Sequence, residues 1–368
     1  MRTKSALEFE NIGIEDTKKY ILNESEHLFE NYGMITSIDE QRETKSNYQK
    51  IKNDSTKIMI NLIITYNCNC ACKYCFEDLN CTYDSNENKM KEVVSYINDL
   101  SEGKDLYINY FGGEPLMNCE TIFYIQNNLK GFRNLHSSIT TNGTLIDTDK
   151  FNKLMNSGID HFQITIDGTE QTHNFRRPVK GEGSSWKQTI NGLKKLTNNN
   201  SSPSINVRIN IDKYNFLEIK EIFNSLPTEI QNNKNIKFYI SPVFGQKNEN
   251  NQKKELQLRA EVIKETWKKI LEEKLPIEIQ LPRFSPCTKD NLLGRFYIDL
   301  NGRVFSCGAD IGKILNVKVI LMKEIKFLKT EESGRLKKSV IRAHFFMNVW
   351  VDATMKKQRI KYRANINI

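Results

Sequence analysis

Nowhere in this 368-residue chain does an apolar run reach the ~18 residues that cross a bilayer. The opening Met1-Arg-Thr-Lys-Ser-Ala also lacks the apolar centre of a secretory signal. No membrane partner is expected, and the expected location is the cytoplasm. Cysteine is scarce and uneven: of eight, five fall between Cys68 and Cys81 and none follows Cys307. Such clustering in a long chain without a secretory signal argues against a disulfide scaffold and suggests metal. No internal repeat and no long low-complexity tract is found, which leaves no sign of a repeat array.

The net charge of +9 is not spread over the chain. Residues 314–368 hold 13 Lys/Arg against 4 Asp/Glu, which accounts for all of it, and residues 1–313 carry 41 of each sign. A neutral body has no broad electrostatic footprint for phosphate, which disfavours RNA or DNA as a partner.

A chain of this length exceeds the usual ~100 to 200 residues per domain, so one large domain with an appendage is expected. From Ile58 onward, β-rich runs alternate with helix-periodic polar stretches, the pattern of successive βα units around a parallel sheet. Six strands are predicted: Ile58 to Asn67, Leu106 to Glu114, Ser137 to Gly143, Phe162 to Gly168, Ile205 to Asp212 and Ile236 to Val243. Helices are predicted near 87–101, 119–130, 147–156, 186–198, 214–225 and 254–273. Ligands of parallel α/β folds sit at the carboxyl ends of the strands, so Cys68, Glu114, Asn142, Asp167 and Asp212 are expected around one mouth. Further on, two alternating strands meet at Asn301-Gly302, a strong hairpin signal between Cys287 and Cys307.

The run Cys68-Asn-Cys70-Ala-Cys72-Lys-Tyr74-Cys75 contains C-x3-C-x2-C directly after a strand. Three thiolates on a short loop can hold three irons of a cubane and leave the fourth open. Structural zinc is the alternative, but zinc usually takes four protein ligands, and no matching C-x2-C pair follows. Cys70 is off the register and reads as a packed or exposed thiol.

With Phe111-Gly112-Gly113-Glu114-Pro115, Thr140-Thr141-Asn142-Gly143, Thr165-Ile-Asp167-Gly168 and the downstream His173 and Arg176-Arg177-Pro178, the chain resembles the radical S-adenosylmethionine (SAM) superfamily over roughly residues 58–310. The resemblance implies an α/β partial (β/α)6 TIM-like barrel with a small C-terminal cysteine-containing β-hairpin region. It implies a 4Fe-4S cluster on Cys68, Cys72 and Cys75, and SAM bound on the open iron. Tyr74 is then expected near the adenine, while Gly112, Gly113 and Glu114 face the methionine ammonium. Asn142 and Asn210 are expected along SAM, and Arg177, rather than Arg176, at its carboxylate through a forked pair of hydrogen bonds. His173 is read as a structural hydrogen-bonding residue. The implied reaction is reductive cleavage of SAM to methionine and a 5'-deoxyadenosyl radical that abstracts substrate hydrogen. A low-potential electron donor such as flavodoxin or ferredoxin is implied as partner.

Cys287 and Cys307 resemble the opening of a SPASM domain, the auxiliary-cluster region of radical SAM enzymes that modify peptides and proteins. Such a region supplies several more cysteines, so an incomplete auxiliary 4Fe-4S cluster is expected. The abrupt basic composition after Lys313 is read as translation out of frame, with a naturally divergent tail as the alternative. Moving the frame by one base across Asn348 to Ala353 returns cysteine and glycine in the family's manner, the glycine forced by Trp350-Val351. A shifted frame with stop codons or without those cysteines would sink the idea. The domains expected are thus 1–57 as an N-terminal segment docking a peptide leader, 58–275 as the core, 276–313 as a partial SPASM-like region and 314–368 as the tail. The implied substrate is a peptide or protein, with thioether formation as one outcome. Sulfatase maturation, RNA modification and an inactive iron-sulfur protein stand as alternatives.

Overall fold

The computed structural model of the chain describes residues 56–75, 87–197, 203–243, 252–278, 295–305 and 317–319. The expectations for residues 1–55, for Cys287 and Cys307, and for the tail beyond 319 lie outside the described residues.

All six expected strands form: β1 (Lys57–Thr65), β2 (Asp105–Gly112), β3 (Asn134–Thr141), β4 (Ile159–Thr165), β5 (Ser204–Ile211) and β6 (Ile236–Pro242). Each pairs in parallel with the next. Parallel neighbours need long crossovers, and these are mostly helical. The helices are α1 (Glu87–Ser101), α2 (Cys119–Asn128), α3 (Thr148–Asn156), α4 (Glu170–Arg176), α5 (Ser185–Thr197), α6 (Ile219–Asn224), α7 (Thr228–Gln231) and α8 (Gln252–Glu272).

Alternation along the strands sorts the two faces of the sheet. In β2, Leu106, Ile108 and Tyr110 are buried while Asp105, Tyr107 and Asn109 between them are half-buried. The apolar set joins Val93 and Ile97 of α1, Ile122 and Ile125 of α2, Leu154 of α3 and Leu193 of α5 in one core. Burial of this kind contributes about 25 cal/mol per Å2 of apolar surface and holds the helices on that face. The opposite face is polar. There Asn109 Nδ2 donates to Asn61 Oδ1 at 3.0 Å, and the hydroxyls of Ser138 and Thr140 both donate to Asn109 Oδ1 at 3.2 Å. Tyr239 donates to Gln163 Oε1 at 2.8 Å further round the sheet.

The strand order is β10-β9-β8-β1-β2-β3-β4-β5-β6-β7, where β7 is Ile277–Glu278, β8 Arg295–Asp299, β9 Arg303–Phe305 and β10 Val317–Val319. The order is linear, so the sheet is open, a partial barrel. The Asn301-Gly302 hairpin forms as expected, with Gly302 at φ 74°. Residues Arg295–Asp299 pair in parallel with Met59–Ile63, so the hairpin continues the barrel sheet along the outer edge of β1.

Every observed strand stops one to three residues short of the expected end. Of the surplus residues, Asn67, Gly113, Glu114, Asn142 and Asp167 lie at the mouth and build the site.

Candidate functional site

Cys68, Cys72 and Cys75 emerge half-buried beyond the carboxyl end of β1, and none of the described cysteines is in a disulfide. Their loop is held by backbone. Residues 69–73 run antiparallel to 176–180: Ala71 N–H donates to the Pro178 carbonyl at 2.8 Å, Lys73 N–H to Arg176 at 3.0 Å and Lys180 N–H to Asn69 at 2.7 Å. Cys70 turns inward and is 2% exposed. Its sulfur accepts from Asn142 Nδ2 at 3.4 Å, so the off-register thiol is packed.

Gly113 and Glu114 continue β2 against the root of this loop. Gly113 N–H donates to the Thr65 carbonyl at 2.9 Å and Glu114 N–H to Asn67 at 2.8 Å. A Cβ on Gly113 would run into the Asn67 and Tyr66 carbonyls, and one on Gly112, at φ 125°, into the Thr65 carbonyl. The close approach expected of these glycines is therefore made by the chain's own residues 65–67, as well as being available to a ligand. Glu114 is fully buried. Its Oε1 accepts from Leu116 N–H at 3.0 Å and from the Thr141 hydroxyl at 2.7 Å, and its Oε2 from Asn142 N–H at 2.8 Å. Asn142 in turn donates to Asn69 Oδ1 at 2.8 Å, so the ends of β2 and β3 are tied to the cysteine loop.

The third part of the site centres on the Tyr74 hydroxyl. It donates to Asp167 Oδ2 and accepts from Arg177 Nη1 at 2.5 Å and Asn210 Nδ2 at 3.0 Å. Asp167 is fully buried and takes Asn210 N–H at 2.9 Å on its other oxygen. The two arginines divide their work. Arg177 lies 3.6 Å from Asp167, while Arg176 pairs with Asp212 at 2.7 Å and covers the Tyr74 ring from 5.2 Å. His173 is 1% exposed, and its Nδ1 accepts from Asp167 N–H at 3.2 Å, the structural part expected of it. Cys68, Glu114, Asn142, Asp167 and Asp212 do share one mouth. Sequence reading did not find Asn215, whose amide donates to the Asp167 and Asn210 carbonyls at 2.7 and 2.8 Å, nor the pairing of 69–73 with 176–180. Asn215 carries no motif that singles it out.

Electrostatics follow from burial. The Cys70 thiol hydrogen-bonds Cys68 and lowers its pKa, favouring the thiolate that a metal requires. Burial raises Cys72 and, more strongly, the Tyr74 hydroxyl, so Tyr74 stays a neutral donor. Burial opposes the charge on Arg177, yet Tyr74, Cys72 and Asp167 hold its pKa well above the ordinary value.

Glu114 is pushed up to about 7 by burial, against the three donors that pull it down. A carboxyl whose folded pKa lies above its unfolded value stabilises the fold when protonated. The metal-free protein should therefore be most stable below about pH 4.5 as far as this group is concerned, losing on the order of 3 kcal/mol as pH rises through about 7. Urea unfolding across that window should show this slope, and Glu114→Gln should flatten it.

The fold is thus an open α/β barrel with a three-cysteine loop and a glycine-glycine-glutamate strand end at the same mouth. Residues 62–226 match the Radical SAM superfamily, and the chain carries a radical SAM domain. It is 30% identical over 169 residues to Fe-coproporphyrin III synthase of Methanosarcina barkeri, covering 45% of this chain and 40% of that one. It is 28% identical over 207 residues to the radical SAM cyclopropyl synthase TigE of Paramaledivibacter caminithermalis, covering 50% and 42%. The chain thus spans less than half the length of these two relatives. In fold it is similar to Streptococcus suis SuiB bound to precursor peptide SuiA, with a TM-score of 0.52 at 14% identity over 87% of this chain and 80% of that one.

The superfamily works with a 4Fe-4S cluster and SAM, and the donor set here fits both. Among the described residues no three His, Cys, Asp or Glu side chains converge closely enough for one ion. A cubane gives each thiolate its own iron corner, so three cysteines spread along a loop suit it better than mononuclear zinc.

Proposed function

We propose that this chain is a radical SAM enzyme that cleaves SAM reductively and takes hydrogen from a peptide or protein. The observation that supports it most is the hydrogen-bonded network joining the cysteine loop, Glu114, Asn142, Tyr74, Asp167, Arg177 and Asn210 at the carboxyl ends of five parallel strands. When bound, the cluster supplies the electron that splits the sulfonium carbon-sulfur bond of SAM. Cys68, Cys72 and Cys75 would hold it. Arg177 is the candidate for the SAM carboxylate, and Asn142, Asn210 and the strand-end backbone at 112–114 are candidates for its remaining polar groups. Their mutual hydrogen bonds set these groups in place beforehand, so little ordering is needed on binding. A low-potential donor of the flavodoxin or ferredoxin kind is the proposed electron source.

The polar inner face favours a peptide. Asn61, Asn109, Ser138, Thr140 and Gln163 offer hydrogen bonds to amides, and the similar SuiB was solved with its precursor peptide. A porphyrin, the type of compound named in the Methanosarcina relative's title, would lay a largely apolar plane on this polar face, where peptide amides can extend the existing hydrogen bonds.

After anaerobic reconstitution and dithionite reduction, SAM should yield 5'-deoxyadenosine and methionine. A deuterated peptide encoded beside the gene should pass label into the 5'-deoxyadenosine. Turnover indifferent to peptide and raised instead by an iron-porphyrin precursor would overturn the peptide reading. No 5'-deoxyadenosine at all would overturn the enzyme.

A further inference from the structure

Tyr66 lies two residues before Cys68 and is 1% exposed, packed with Ile63, Phe305, Phe111 and Tyr297. Its hydroxyl reaches across 233 residues of sequence to donate to Asp299 Oδ2 at 3.0 Å. Asp299 is fully buried at the end of β8, opposite Ile63 in the parallel ladder. The same Oδ2 accepts from Arg303 Nε at 2.6 Å, and the guanidinium lies 5.6 Å from the centre of the Tyr66 ring. The other oxygen, Oδ1, accepts the N–H groups of Asn301 and Arg303 at 3.0 and 2.9 Å, closing the hairpin turn.

The root of the cysteine loop is thus gripped on two flanks. On one, Gly113 and Glu114 hold the backbone of Thr65 and Asn67. On the other, the hairpin holds the side chain of Tyr66 between them. We propose that Asp299 and Arg303 are positioning residues for the iron-sulfur loop, acting through Tyr66 to set the direction in which Cys68 leaves the sheet. The pair is also a compensated charge. Aspartate and arginine cancel beside the loop, so the cluster meets a neutral neighbour although a carboxylate and a guanidinium stand close by. Outer partners of this kind orient ligands and tune a metal centre without touching it. The inference rests on the cluster being present and is independent of the substrate.

The test uses the full chain, reconstituted anaerobically. Tyr66→Phe removes one hydroxyl and keeps the ring and the ion pair, so folding and iron content should stay near those of the parent. The electron paramagnetic resonance signal of its reduced cluster should nonetheless be shifted or broadened, and the change on adding SAM diminished. Asp299→Asn and Arg303→Gln leave opposite charges uncompensated. They should move the cluster midpoint potential in opposite directions, up for the first and down for the second. Either of two results overturns the proposal: a Tyr66→Phe spectrum superimposable on the parent's with and without SAM, or charge variants that fold yet move the potential the same way or not at all. If a charge variant fails to fold, as loss of one buried partner can cause, the Tyr66→Phe spectrum decides alone. The parent signal reports the cluster in every case, so these outcomes are separate from any failure to find a peptide substrate.

Discussion

Alanine in place of Cys72 is expected to abolish the reducible cluster and bring 5'-deoxyadenosine formation down to background. Two thiolates cannot hold a cubane at three corners. Among the described residues no His, Asp or Glu stands with the cysteines as a ready-made ligand set. Cys70, the fourth described cysteine of the loop, faces Asn142 in the interior at 2% exposure. The companion substitution sharpens the result. Cys70→Ala removes a packed thiol and should leave cluster iron near that of the parent, at a stability cost of about 1 kcal/mol for the lost contacts. Iron and sulfide analysis of the two variants, reconstituted side by side, checks both. Equal loss of iron from both would place Cys70 among the ligands.

The second large effect is expected at Arg177. Methionine there removes the donor at 2.5 Å from the Tyr74 hydroxyl and the cation 3.6 Å from Asp167, a carboxylate with no exposed surface. Breaking a buried ion pair on one side costs about 3–5 kcal/mol, because the remaining charge keeps its desolvation penalty without its partner. Denaturant unfolding of the metal-free protein should show that loss before any cofactor is added. Arg177→Lys should recover only part of it, since an ammonium cannot reproduce the planar fork. A metal-free Arg177→Met protein as stable as the parent would mean that the Tyr74 and Asp167 network does not carry the loop.

Much of this architecture was legible in the residues, for a local reason. Runs such as Ile58 to Thr65 or Ile205 to Ile211 are β-branched where the pleat requires it, and the ladder forms wherever such runs follow one another through helical crossovers. The cysteine spacing was equally local. The contacts that organise the site are not. Glu114 meets Thr141 and Asn142 across 27 and 28 residues, Tyr74 meets Asp167 across 93 and Asn210 across 136. No periodicity announces such pairs. Helix α4 escaped for a related reason: Glu170-Gln-Thr-His-Asn-Phe-Arg176 has no apolar stripe, and what it buries is His173 and Arg176. The hairpin was visible as a hairpin, yet its pairing with β1 depended on which strand edge stood free, a property of the assembled sheet.

The antiparallel seam between 69–73 and 176–180 has one further consequence. Because main-chain amides and carbonyls fasten the cysteine segment to the far side of the mouth, its shape does not depend on iron to draw it together. It is a socket cut in advance. Removal of the cluster is therefore expected to leave the barrel folded, ready to take a cluster again.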